Sequence, residues 1–76
     1  MSKEIEDYVR ERNAVMLENN LQSFIKWAAS HGVTYYSPQI ADLSRRKIIT
    51  ACVGLPQALR DEAKQWLEAR GYKSWD

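Results

Sequence analysis

The sequence predicts an all-α fold: one small domain of three to four helices with a long N-terminal helix. Three observations carry that expectation. No proline or glycine occurs before Gly32, and the apolar residues after Pro56 recur at helical spacing. Each break between helical stretches coincides with a cap or a stop signal. The 76 residues form a single domain, 1–76, and a chain that short buries only roughly 60% of the surface its unfolded form exposes. A composition of 45% hydrophobic residues with three Gly and two Pro nonetheless suits a packed core rather than disorder.

The first helix is expected over about 3–30. Ser2 is its N-cap, Glu4, Glu6 and Asp7 suit the positive end of the helix dipole, and Ser30-His31-Gly32 ends it. His31, the only histidine, is expected to serve that helix end rather than chemistry. A connector over 31–37 follows, with Val33-Thr34-Tyr35-Tyr36 extended. Ser37-Pro38 matches an N-cap with proline at the first helical position, so a short helix is expected from Pro38 to Leu43. Ser44 then caps a second short helix, Arg45 to Val53, although β-branched residues 48–53 also suit a strand. Gly54-Leu55-Pro56 stops and restarts the chain. The last helix runs from Pro56 to Arg70, ends at Gly71 and leaves a tail, 71–76. Its Leu59-Ala63-Trp66-Leu67 face is expected to pack on Leu21-Phe24-Ile25-Ala28.

The first helix carries a phase break. Ile5, Tyr8, Val9, Val15 and Met16 share one face, whereas Leu17, Leu21, Phe24, Ile25 and Ala28 share a nearly opposite one. Asn19-Asn20 sits just after the switch, and asparagine is a poor helix-interior residue. A break near Asn19-Asn20 would explain the pattern, as would a chance stripe facing solvent. The favoured reading is a homodimer joined through Ile5, Tyr8, Val9, Val15 and Met16, with Arg12 inside the stripe facing a partner's Glu11 or Glu6. Trp27 falls outside the second stripe and is expected to be partly exposed or to lie against another element.

Net charge is +1, which gives no overall field for nucleic acid or a membrane. The lone Cys52, in an apolar run, excludes an internal disulfide and is expected to be a buried structural thiol. Nothing approaches a membrane span, and the charged N-terminus has no apolar run behind it, so a cytoplasmic location is expected. Ser-His-Asp sets, phosphate-cradling glycine loops and metal-ligand spacings are missing, so no catalytic, cofactor-binding or metal residue is assigned.

Two groups of residues remain. Tyr35, Tyr36, Tyr72 and Trp75 sit in non-helical segments, where they either anchor a partner protein or fold back over a thin core. Arg45, Arg46 and Lys47 form the only basic run, expected to be a solvated face whose alternative use is phosphate contact. Ile40-Ala41-Asp42-Leu43-Ser44 resembles the first helix of a helix-turn-helix. No glycine turn follows Leu43, however, and the next segment carries the core-type residues Ile48, Ile49, Cys52 and Val53. Taking Gly54-Leu55-Pro56 as the turn instead would place Asp61 and Glu62 where phosphates should lie. The expectation is therefore a non-enzymatic protein-interaction module, a homodimer that occupies the surface of an unknown protein partner. In its economy, though in no motif, it is similar to small accessory proteins of bacteria and their phages. A nucleic-acid-binding regulator is the alternative.

Overall fold

A computed structural model describes residues 3–76, which places the expected cap Ser2 outside the described residues. Four helices follow one another: α1 Lys3–Glu18, α2 Leu21–Ser30, α3 Pro38–Ala51 and α4 Gln57–Ala69. No strand occurs among the described residues, so 48–51 belong to a helix.

The expected long helix is two helices. Asn19 takes a left-handed conformation at φ 50°, and its N–H donates to the carbonyl of Met16 at 3.0 Å. Asn20 is extended, and its side-chain oxygen accepts from the N–H of Ser23 at 3.1 Å, capping α2. Asparagine serves both positions, because it tolerates the left-handed region and is among the best N-caps. The phase change is thereby absorbed inside one chain, as α1 turns back along α2.

That turn redistributes the stripe assigned to a dimer. Met16 is fully buried, Val15 packs against the core and Val9 is half-buried, leaving Ile5 and Tyr8 as the exposed members. The straight apolar rod that favoured the homodimer reading is not formed. Leu17 likewise leaves its expected core face and is exposed.

The two short helices expected around Ser44 are one. Ser44 caps nothing; its hydroxyl meets that of Tyr35 at 2.9 Å. Asp42 accepts from Arg45 at 2.8 Å and lies 3.7 Å from Arg46, so side-chain pairs three and four residues apart bridge the expected break. Ser37 does cap α3, accepting from the Ile40 N–H, with Pro38 at its first turn.

Helices α2 and α4 end alike. Gly32 and Gly71 are left-handed, and the residue after each donates back to the carbonyl five positions earlier: Val33 to Ala28 and Tyr72 to Leu67. His31 is the C-cap of α2, as expected from its place in the sequence.

Helix α3 is the centre of the molecule, flanked by α4 and α2. The expected pairing of α4 with α2 is replaced by α4 on α3, where Ala63 and Leu67 are buried and Leu59 is half-buried. Trp66 is not a core residue: it is half-buried, with the guanidinium carbons of Arg70 and Arg46 at 4.0 and 5.0 Å from its ring. Met16, Phe24, Ile49, Cys52, Leu55 and Ala63 make the common core. The molecule measures 37 × 28 × 18 Å, and its 18 Å thickness is less than two helix diameters of about 10–12 Å. A body so thin shields few side chains completely.

Candidate functional site

The partner-anchoring aromatics and the basic run fare differently. Arg45 is 4% exposed, donating to Asp42 and, at 2.8 Å, to the side-chain oxygen of Asn19. Arg46 lies near Asp42 and Glu62 and over Trp66, and the Lys47 ammonium sits 5.9 and 5.7 Å from the rings of Tyr72 and Trp75. The expected solvated face is thus engaged within the fold, because three consecutive residues span most of a helical turn and α3 is surrounded. It leaves no free cationic row for phosphates.

The four aromatics do not act as a set. Tyr36 is 96% exposed, while Tyr72 lines a second hollow of about 280 Å³ with Ile40, Leu43 and Trp66. Tyr35 and Trp75 instead help to wall a cleft of about 330 Å³. Tyr35 is half-buried, its ring 5.7 Å from that of Phe24 and its hydroxyl held by Ser44. Trp75 arrives from the tail, its backbone N–H donating to the Thr50 hydroxyl at 2.9 Å and leaving the side chain half exposed. The tail is also tied by Lys64 to Asp76 at 3.1 Å, and Ser74 donates to the same carboxylate. Those two hydrogen bonds, Ser74's the larger influence, hold the Asp76 carboxyl below its ordinary value, and the Asp76 bond raises Lys64.

The rest of the cleft comes from α1, α2 and α3. Tyr8 and Arg12 reach it from α1, Phe24, Trp27 and Ala28 from α2, and Ile48 and Ala51 from α3. Tyr8 and Trp27 lie 5.5 Å apart, and His31 meets both edge-on at 5.3 and 5.1 Å. Trp27 therefore lies against another element, as its position outside the stripe implied. Residue by residue this is an aromatic wall, the surface that supplies most contact area per side chain at interfaces.

Three polar features qualify that wall. The indole nitrogen of Trp27 is buried and has no hydrogen-bond partner, a donor whose desolvation is uncompensated. Arg12 is half-buried; its Nε and Nη2 donate to Asn13, and it forms no ion pair with a carboxylate among the described residues. Cys52, at the floor, is buried, and that burial pushes its thiol above the ordinary value against the opposing charges of Arg12 and Arg60. Among the described residues no Asp or Glu lines the cleft, and Glu11 lies 3.6 Å from His31 on its wall.

Neither Trp27 nor Arg12 stands out as a binding residue in the sequence. Their signals were a tryptophan off its helix's apolar face and a cation inside an apolar stripe. No group of three or more His, Cys, Asp or Glu gathers among the described residues. No helix among them is long and apolar enough to cross a membrane. No family model, curated protein or solved structure matches the chain.

Proposed function

We propose that the protein is a non-enzymatic binding module that takes an apolar side chain of a partner protein into the aromatic cleft. The observation that carries the reading is the cleft itself, where Tyr8, Trp27, Tyr35 and Trp75 line one apolar space. A partner's apolar group would bury the exposed rings of Tyr8 and Trp75, taking apolar surface out of water. A cytoplasmic setting and an accessory role belong to this proposal. Self-association is no part of its mechanism, because the stripe that called for it is largely spent inside the protomer.

Selection from a displayed random-peptide library tests the reading, with Ala51→Trp as the control. Ala51 is exposed and lines the cleft, so the larger side chain fills the space while leaving the existing core contacts in place. Selected peptides should share an apolar anchor and lose binding to the filled variant. Peptides that bind both proteins equally, or a library that yields none, would overturn the proposal.

A further inference from the structure

The charges around the cleft say more about its occupant. Apart from Cys52, the ionisable groups on its wall are the cation Arg12, His31 and the two tyrosines, and no carboxylate is among them. Arg12 commits two of its nitrogens to Asn13, and its Nη1 makes no hydrogen bond among the described residues. A half-buried guanidinium with no anionic partner among the described residues, on the wall of an apolar cleft, is a donor that matches a carboxylate. The apolar remainder of the cleft matches a side chain attached close to that anion.

We infer that the cleft receives the C-terminal residue of a partner chain, its α-carboxylate on Arg12 and its apolar side chain among Phe24, Tyr35 and Ile48. This deepens the proposed function and rests on it. A chain end brings both chemistries on one residue, which an internal segment does not. The volume, about 330 Å³, lies near the lower limit of roughly 300–1,000 Å³ for small-molecule sites and so favours a single residue. Tyr8, Val33 and Trp75, 42%, 45% and 55% exposed, extend the apolar wall outward, where preceding residues of a longer chain would lie. Capture of a C-terminal carboxylate is an established form of peptide recognition.

The test compares two sequence-matched pools of random hexapeptides, one ending in a free carboxylate and the other in a carboxamide. The expected result is enrichment of apolar C-terminal residues from the acid pool, with the matching amides about tenfold or more weaker, as loss of a charge-assisted pair implies. In two-dimensional NMR the Trp27 indole proton should shift on binding the acid. Arg12→Gln should abolish the preference for the acid, and Arg12→Lys should retain part of it. Circular dichroism of both variants establishes that they are folded. Acids and amides binding alike, or a preference that survives Arg12→Gln, would overturn this inference and leave the cleft reading standing. Binding of 3-phenylpropionate as tight as that of the best peptide would overturn the chain-end assignment. Silence from both pools would overturn the cleft reading as well.

Discussion

Arg45 shows how far the setting of one side chain can depart from the chemistry of its residue type. In a run of three cations it has the sequence of a solvated residue, yet it lies 4% exposed between Asp42 and Asn19. Removing Arg45 takes the nearer of Asp42's two cationic partners and leaves only Arg46 at 3.7 Å, so Arg45→Gln should cost about 2–4 kcal/mol, somewhat less than a fully orphaned buried charge. Lys47→Gln, which loses a cation over two aromatic rings, should cost no more than about 1 kcal/mol. Urea melts of the two variants make the comparison, and equal small losses would contradict the burial of Arg45. Cys52 makes a second residue-scale prediction. Its thiol is raised by burial, so the folded state holds the proton more tightly than the unfolded chain. The resulting stabilisation is fully present below the unfolded thiol's value and is lost as pH rises through the folded one. The wild type should therefore lose stability relative to Cys52→Ala between about pH 8 and 10, and a constant difference across that range would count against it.

At the scale of elements, the sequence displayed its stops clearly and its continuities poorly. Both glycine-terminated helix ends lie where the sequence indicated, because left-handed glycine is a local requirement that tertiary contacts rarely override. The continuity of α3 through Ser44 was not legible, since serine caps a helix or rides on one depending on what lies beside it. Here that neighbour is Tyr35, nine residues away and brought close only by the fold. The two serines should consequently respond differently to replacement. Ser37→Ala removes a cap and should cost about 1 kcal/mol by thermal melting. The cost of Ser44→Ala should vanish once Tyr35→Phe is already present, as the loss of one shared hydrogen bond requires. An unchanged Ser44→Ala penalty in the Tyr35→Phe background would point back to a helix boundary at Ser44. The cleft was legible in part through Tyr35 and Trp75, whereas Arg12 and Trp27 needed the return of α1 along α2 to become neighbours of the same space.

Over the whole molecule, the apolar phase of residues 5–28 was correctly read as two faces, but a pattern of faces does not say whether one chain or two will cover them. What decides is whether the chain can reverse between the stripes, and two adjacent asparagines supply that reversal. The junction thus behaves as a hinge under local control. Replacing Asn19 and Asn20 together by alanine removes the left-handed residue and the cap, and favours unbroken helix from 3 to 30. Such a helix would be about 42 Å long, more than the 37 Å of the longest molecular dimension. The α1 segment would then leave its own protomer and expose the site that Val15 and Met16 fill. A second molecule in the same condition offers the identical segment for that vacancy, and reciprocal exchange restores the native contacts except at the junction. Sedimentation should find the double variant as a domain-swapped dimer, dissociating only through unfolding; a folded monomer would show that the reversal is fixed by more than these two residues. Two side chains in this turn therefore set how many polypeptides it takes to complete one copy of the fold.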